Sequence, residues 1–501
     1  MSEYLHGAYG DTQANGNRVA VESQSAIVCI GTAPVHQIAL GTGETYPVNT
    51  PKLIYNIAEA KKYFGYSDDW ASYTLCEAMH HFFETKGIGP LVLINVLDPA
   101  VHKANQKTTV SKTPANNRIT ITNAENAILE SVVVKTTGDE PVTKVKNTDY
   151  TISYNIAKKS IVITGLTNLG ADALSIEYDT VTPSAVTSET VIGTTDGNGT
   201  NTGLFAIQNV YQLAGVIPAY LIAPGFSSVP AVHAAMFQNS QKVNGHWDMW
   251  MFSDLPIADG NTALTMDSAV TYKNANGYTH ENETVYFPMV EGTDGKKYHL
   301  SVLAAANFLE ILGENDGIPF HSASNTDAPI IAKLWLGAGS ENKLYDDQKI
   351  NEKLNKNGIA SAAYVGGRWA IWGAHAADYN QDDADSVNVS ETSRMMLFYI
   401  SNDFQARRPR DVDKPMTAND IASIVAEEQA RLDALIAMGA LIYGQASLSA
   451  ESLANSDVYS GDFLFEFRVT TTPLAKSLKA MVTWVDEGFS TYYSTGETEE
   501  A

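Results

Sequence analysis

A nearly continuous apolar run at Leu91–Leu97 (LVLINVL) constrains the fold of this chain more than any other segment. A strand of this composition is expected to be buried on both faces, as in parallel sheets that helices cover on both sides. Ala26–Ile30 has the same character and ends at a Gly-Thr-Ala-Pro turn. Between them, Ile57–Phe64 and Ser72–Lys86 have helical periodicity. The first hundred residues therefore predict an α/β domain.

A different pattern occupies residues 101–200. Short β-branched segments recur there at intervals of about ten residues, separated by polar turns, as in small all-β sandwiches. These segments are Ile119–Ile121, Ser131–Val134, Tyr150–Tyr154, Ser160–Ile163 and Leu174–Tyr178. We therefore predict that residues 101–200 form an inserted β-sandwich domain, followed by a flexible return linker at Thr194–Gly203.

The alternation of strands and helices resumes after residue 200. The predicted elements are strands at Ala219–Ala223, Asp248–Ser253 and Thr284–Pro288 and helices at Ala231–Lys242 and Leu300–Leu312. Ala360–Val365 and Trp369–Trp372 are short apolar strands joined by Gly366-Gly367, which predicts a β-hairpin. We expect one discontinuous α/β core domain, built from residues 26–100 plus 201–380.

Residues 381–501 predict an α+β C-terminal domain. Ser390–Asp403 is a candidate helix, and Thr417 begins a strongly amphipathic helix that ends before Gly439. The clearest strand of the chain alternates strictly, and one of its faces is formed by Phe463, Phe465, Phe467 and Val469. Ala480–Tyr493, which contains Val482 and Trp484, is predicted to be a further β-prone segment.

The first 25 residues are polar and rich in Gly, Asn and Gln, without a periodic apolar face. Two interpretations remain open from these residues alone. The segment is either a frayed terminus or an extended N-terminal arm that adds a strand to another chain.

Composition limits the partners. The chain has 501 residues with 33 Lys and Arg against 57 Asp and Glu, a formal net charge of -24. Such a surface repels the phosphates of nucleic acids and anionic lipid headgroups, so we expect neither nucleic acid nor stable membrane binding. The only cysteines, Cys29 and Cys76, have no disulfide-like or metal-ligand spacing. With no signal-like leader and no long apolar run, a soluble protein made in a cytoplasm is expected.

Motifs of catalysis are missing from the sequence. It contains no phosphate-binding GxxxxGK[ST], no HExxH and no GxSxG. Pro224–Ser228 lies between a strand and a helix, where a nucleophile could stand, but the second glycine of the nucleophile motif is lacking. A hydrolase acting near Ser227 or Ser228, with the β-sandwich as an accessory domain, is therefore the alternative hypothesis. We expect no catalytic residues, no metal site and no cofactor.

One basic cluster stands out in this acidic chain. It consists of Arg407, Arg408 and Arg410 around Pro409. Either it is a solvated loop, or it docks on an acidic partner surface.

Taken together, the sequence resembles the contractile tail sheath proteins of myophages, which are shared with R-type bacteriocins and related contractile injection systems. The matching segments extend over most of the chain. They are Tyr4–Tyr9, Ile30–Pro34, Val48–Pro51, Phe64-Gly65, Thr202–Leu204, Ile217-Pro218, Ala223–Gly225, Val243–Gly245, Ser324-Asn325, Leu354–Ile359, Trp372-Gly373 and Arg394-Met395. The sequence departs from the family pattern where Ala374–Ala376 and Ser393-Arg394 stand, which concerns packing between subunits more than the assignment.

The resemblance implies a mechanical function. Such subunits form stacked hexameric rings around an inner tail tube and contract from a metastable extended state, which drives the tube through a target envelope. N- and C-terminal arms join neighbours by strand addition. We assign to these arms the residues Gly7, Tyr9, Phe463, Phe465, Phe467, Val469, Val482 and Trp484.

Other expectations follow from the same resemblance. The inner tube, the baseplate and the tail terminator are the expected partners besides further copies of the chain. The β-sandwich is expected on the outside of the tail, Arg407, Arg408 and Arg410 are candidate tube contacts, and the particle tail is expected to assemble in a bacterial host cytoplasm. The source, whether phage, bacteriocin or other injection machine, stays open.

Overall fold

The computed structural model describes residues 25–338, 345–381, 390–450 and 460–493, without the side chains of residues 490 and 491. Gly7, Tyr9 and the rest of the predicted N-terminal arm up to residue 24 lie outside the described residues. The chain divides into two compact units, Met1–Ile421 and Ala422–Ala501.

The strands are numbered in chain order. They are β1 Ser25–Gly31, β2 Lys52–Ile54, β3 Leu91–Asn95, β4 Thr108–Lys112, β5 Arg118–Thr122, β6 Val133–Thr136, β7 Tyr150–Asn155, β8 Ser160–Gly165, β9 Leu174–Tyr178, β10 Ile217–Ile222, β11 Trp250–Asp254, β12 Ala258–Asp259, β13 Thr262–Ala263, β14 Glu283–Tyr286, β15 Met289–Gly292, β16 Lys297–Tyr298, β17 Ile331–Trp335, β18 Ile359–Val365, β19 Arg368–Trp372, β20 Leu441–Leu448 and β21 Phe465–Thr471.

The α-helices are numbered in the same way. They are α1 Ile57–Phe64, α2 Leu75–Met79, α3 Ser188–Ile192, α4 Val210–Ala214, α5 Pro230–Ser240, α6 Met266–Ala275, α7 Leu300–Glu314, α8 Asp347–Lys353, α9 Glu391–Arg407, α10 Ala418–Ala437 and α11 Glu487–Tyr493. Helix α2 continues as a π-helix over His80–Lys86, and short 3-10 helices include Gly203–Asn209 before α4. No helix among the described residues is long and apolar enough to cross a membrane.

The first unit is organised around an eight-stranded sheet with the order β19-β18-β14-β11-β10-β1-β3-β2. Its six central strands are parallel, and the edge strands β2 and β19 are antiparallel to their neighbours. All residues of β3 and β10 are buried, as the apolar composition of Leu91–Leu97 predicts. Helix α7 is buried over most of its length, which its uniformly apolar sequence LSVLAAANFLEIL explains.

The predicted hairpin is present as β18 and β19, in register from Ser361 opposite Trp372 to Val365 opposite Arg368. Gly366 and Gly367 both have positive φ, 59° and 82°, which residues with a side chain rarely adopt. Two such residues in succession give the turn whose twist matches that of the flanking strands.

Residues 108–178 build two three-stranded antiparallel sheets, β4-β9-β6 and β5-β8-β7. They enclose an apolar cluster of their own, which includes Ile121, Val134, Ile163 and Ile176. Because β1, β2 and β3 precede these strands and β10 follows them, the chain leaves the large sheet and returns to it.

The second unit combines α10 with the antiparallel pair β20 and β21. The buried side of α10 includes Ile424, Leu432 and Leu435. The prediction of a β-prone segment at Ala480–Tyr493 is wrong at its end, where the chain forms helix α11. Residues 480–486 contain no strand, and no strand within the described residues pairs with them.

Candidate subunit interface

The last described segment of the chain exposes large apolar side chains in succession. Leu478 is 90% exposed, Met481 93%, Val482 92% and Trp484 77%. Val485, Phe489, Tyr492 and Tyr493 are also more than half exposed. Soluble monomers rarely present this much contiguous apolar surface, and large exposed patches mark sites of protein association. Val482 and Trp484, which the sequence assigned to an inter-subunit arm, therefore lie where another surface can cover them.

The second unit contains a two-stranded sheet. β20 and β21 are antiparallel, from Leu441 opposite Thr471 to Leu448 opposite Phe465, and among the described residues no third strand pairs with either of them. A sheet of only two strands is marginally stable by itself and gains stability when further strands pair with it.

The predicted alternation of β21 is present in the structure. Phe465, Phe467 and Val469 are half-buried, whereas the residues between them are exposed. Phe463 is half-buried and precedes the strand. These aromatic residues contribute one face of β21 within their own unit, and their assignment to inter-subunit contacts stays a prediction.

Helix α10 supports the strand pair through a close approach at Gly444. A Cβ at this position would lie 2.9 Å from Cβ of Leu432. Beside it, Gln429 Nε2 donates to the carbonyl of Gly444 at 3.1 Å, and Gln429 Oε1 accepts from the Ala446 N–H at 2.9 Å. One side chain thus fixes the middle of β20 on the helix.

The arginine cluster is partly neutralised by its own neighbours. Arg407 binds Asp403 through Nε at 3.0 Å and through its terminal nitrogen at 2.8 Å, one helical turn away. Arg408 contacts Asp411 at 3.4 Å. Arg410 is exposed, so it is the member of the cluster best placed to meet a partner. The assignment of these residues to tube contact stays a prediction.

Ser227, the serine of the hydrolase alternative, is completely buried. Its Oγ accepts from the N–H of Asp254 at 3.1 Å and donates to Oδ2 of the same residue at 3.4 Å. Asp254 is also buried and accepts from the N–H of Ser301 at 3.0 Å and from its hydroxyl, and burial raises the pKa of this carboxyl. Ser227 is bonded to an aspartate rather than to an imidazole, so the arrangement connects β11 to α7 instead of activating a nucleophile.

The neighbouring Ser228 is half-buried, and its hydroxyl donates to the carbonyl of Gly225 at 3.4 Å. The charge of His299 acts to lower the pKa of Asp254, but this imidazole binds Glu77 at 2.7 Å. The geometry therefore does not favour hydrolysis at either serine.

The order of the large sheet reverses beside β1, whose neighbours are β3 and β10. In open α/β sheets a ligand binds at such a point, beyond the carboxyl ends of the strands. Here Thr74 lies between the loops that follow β1 and β10: its Oγ1 accepts from the N–H of Thr32 at 3.2 Å, and its Cγ2 would lie 3.1 Å from a Cβ at Gly225. The Asn95 side chain accepts from the N–H of Ala33 at 2.8 Å and so connects β3 to the loop after β1.

Comparison with known proteins covers almost the whole chain. No family model matches the sequence. A curated tail sheath protein from Burkholderia phage BcepMu is 24% identical over 491 residues, which span 94% of this chain and 95% of the phage protein.

Solved structures agree in fold. A chain of the six-fold symmetrised cryo-EM structure of the anti-feeding prophage baseplate has a TM-score of 0.54 at 12% identity and covers 97% of this chain and 100% of that one. A chain of the contracted sheath complex of the PVC extracellular contractile injection system has a TM-score of 0.51 at 10% identity, with coverage of 97% and 100%. The resemblance expected from the sequence is thereby confirmed: over nearly its whole length this chain is similar in sequence to a phage tail sheath protein and in fold to chains of contractile injection systems.

Proposed function

We propose that this protein is a structural and mechanical subunit of a contractile tail sheath. It polymerises as stacked hexameric rings around an inner tail tube and contracts from a metastable extended state to drive the tube through a target envelope. The observation that carries the proposal is the exposed apolar segment of residues 478–493, which follows the two-stranded sheet of β20 and β21.

Strand addition supplies the joint between subunits in this proposal. The N-terminal arm with Gly7 and Tyr9 and the C-terminal segment with Val482 and Trp484 each add a strand to the small sheet of β20 and β21 in a neighbour. Phe463, Phe465, Phe467 and Val469 form the face of the receiving sheet. Each backbone hydrogen bond contributes only about 0.5–1.5 kcal/mol net, but a strand of several residues makes many of them.

Such joints hold while the bulk of the subunits moves, because backbone pairing does not depend on how the attached domains are tilted. Contraction then replaces a small contact between domains by a larger one, which is a bistable rearrangement of folded units. A gain of about 2–3 kcal/mol per subunit, the scale of a modest change in interface quality, adds up along the sheath. The energy is stored during assembly, so no nucleotide is consumed, and the lack of a GxxxxGK[ST] motif in the sequence agrees with this view.

The rest of the architecture is assigned as follows. Residues 1–25 form the N-terminal arm, residues 26–100 plus 201–380 the α/β core, residues 101–200 the inserted sandwich on the outer surface, and residues 381–501 the C-terminal domain. Arg407, Arg408 and Arg410 face the tube. The six-fold symmetry of the anti-feeding prophage baseplate supports a ring of six.

Partners and location follow from the same proposal. The subunit binds further copies of itself, the inner tube, the baseplate and the tail terminator, and it binds neither nucleic acid nor membrane stably. The particle tail assembles in the cytoplasm of a bacterial host.

Electron microscopy of three forms tests the proposal. The full chain, incubated with and without tube protein, should form ring stacks or hollow tubes. A truncation of residues 474–501 should remain folded, by circular dichroism, but stay in small particles. Removal of only the acidic tail, residues 496–501, is the matched control and should leave assembly intact. Small particles from the full chain in the presence of tube protein, or tubes from the 474–501 truncation, would refute the proposed joint.

A further inference from the structure

Three potential metal ligands converge in the first unit. His233 lies on α5, His280 in the loop before β14, and Glu283 is the first residue of β14. One ligand atom of each lies within 4.8 Å of the other two. His233 and Glu283 are buried, whereas His280 is half-buried. We propose that these residues bind a divalent transition-metal ion.

Aromatic neighbours hold both imidazole rings in place. His233 stacks on Tyr278, with ring centres 3.8 Å apart, and His280 stacks on Phe237, with ring centres 3.5 Å apart. Tyr278 is itself anchored, because its hydroxyl donates to the carbonyl of Ser227 at 3.0 Å. Ring orientations fixed in this way reduce the entropy lost when a metal binds.

The spacing of the two rings matches a tetrahedral site. Their centres are 5.3 Å apart. Two imidazoles that bind one ion through bonds of about 2.0 Å at a tetrahedral angle have ring centres about 5 Å apart. The backbone therefore already places α5 and the 280 loop at the separation that a shared ion requires.

The carboxylate is oriented by the groups around it. Oε1 of Glu283 accepts from the N–H of His280 at 3.0 Å, and Oε2 accepts from the Ser253 hydroxyl at 3.2 Å. Hydrogen bonds of this kind from outside the ligand set are what orient ligands in metal sites. His233 Nε2 lies 2.6 Å from Glu283 Oε2. Metal entry replaces this hydrogen bond: the shared proton leaves to solvent, and the two atoms separate to about 3.3 Å around the ion.

The donor set decides which metals fit. Two imidazole nitrogens and one carboxylate oxygen suit zinc, cobalt or nickel, whereas calcium and magnesium prefer oxygen ligands alone. Three protein ligands leave a fourth position for water, and the half-buried His280 gives that position access to solvent. The ion would tie α5 to the start of β14 and stabilise the folded first unit.

The test uses the full chain, stripped with a chelator and then dialysed against zinc. One zinc ion per chain is expected by elemental analysis, with a rise in the unfolding midpoint of about 3 °C at saturating zinc and none with magnesium. His280→Ala should abolish both effects, because this half-buried residue can be shortened without opening the core. His246→Ala, which removes an exposed histidine elsewhere, should change neither.

Cobalt offers a second readout that does not depend on a variant. The wild-type protein loaded with one equivalent of cobalt should give the intense visible absorption of a tetrahedral nitrogen and oxygen site. Glu283→Gln provides a second variant of almost unchanged volume. Absence of bound zinc in the wild type, or retention of one zinc by His280→Ala, would overturn the proposal.

Discussion

Nδ1 of His299 lies 2.7 Å from Oε2 of Glu77, and the N–H of His299 donates to the other carboxylate oxygen at 2.6 Å. Glu77 is 2% exposed, so the first turn of α7 is joined to α2 by a buried ionic contact. Asp254 also faces this imidazole. Although burial opposes the charged ring, these carboxylates raise the pKa of His299 to about 9.

This contact predicts a loss of stability at alkaline pH. The folded protein keeps the His299 proton up to about pH 9, whereas the unfolded chain releases it near 6.5. The contribution is therefore complete below pH 6.5 and disappears as the pH rises through 9, with a total of about 3 kcal/mol. Denaturant unfolding between pH 6 and 9.5 should show this decline in the wild type and a much weaker one in Glu77→Gln.

The comparison for that experiment is Glu84→Gln. Glu84 contacts His80 at 2.8 Å, but about a third of the Glu84 side chain is exposed. Its loss should therefore alter stability by less than about 1 kcal/mol. Equal pH profiles for the wild type and Glu77→Gln would contradict the assigned role of the buried contact.

The close approach of Gly444 to Leu432 predicts that a larger residue at position 444 destabilises the second unit. Ala at this position brings its Cβ to 2.9 Å from Leu432 Cβ, so the strand must move away from α10. We expect Gly444→Ala to destabilise this unit by about 1–3 kcal/mol. Gly488→Ala is the control, because nothing lies within 4 Å of its added Cβ. Limited proteolysis of the 422–501 region should be faster in the first variant only.

The exposure of Trp484 predicts that its substitution impairs assembly without affecting folding. Its side chain is 77% exposed in the single chain, so Trp484→Ala should leave the unfolding midpoint within about 1 °C of the wild type. If the residue anchors the arm on a neighbour, the same change should raise the concentration needed for assembly at least about tenfold. Sedimentation measures the concentration needed for assembly. The control is Leu166→Ala, which shortens an exposed side chain of the sandwich. Unchanged assembly would remove Trp484 from the interface.

Arg410 predicts an effect on assembly around the tube. Because it is exposed while Arg407 is bound to Asp403, reversal of its charge should act mainly on a partner. Arg410→Glu should slow the growth of sheath on added tube protein, and more strongly at low than at high salt. Light scattering with and without tubes follows this growth, and Lys158→Glu, which reverses an exposed charge of the inserted sandwich, is the control. Equal rates for Arg410→Glu and the wild type would exclude this residue from the tube contact.

The local pattern of the sequence determined the type and place of most elements. The periodicity of Ile57–Phe64 defines α1 to the residue, and Gly366-Gly367 defines the turn of the hairpin. Thr417 caps α10 as predicted, since its Oγ1 accepts from the N–H of Asp420 at 3.3 Å. Such features depend on neighbours a few residues apart along the chain, so the sequence contains the information that forms them.

Other features depend on which distant segments meet. Sequence periodicity does not show that β1 lies between β3 and β10, or that Glu77 contacts His299. The sequence predicted a β-prone segment at Ala480–Tyr493, but a strand forms only beside another strand, and in the single chain its end became α11. His233 and Glu283 are 50 residues apart, so the convergence that suggests a metal site was invisible in the spacing. The local sequence determines the hydrogen bonds within helices and turns and the periodic burial of side chains. Pairing between distant segments is decided only when the whole core packs.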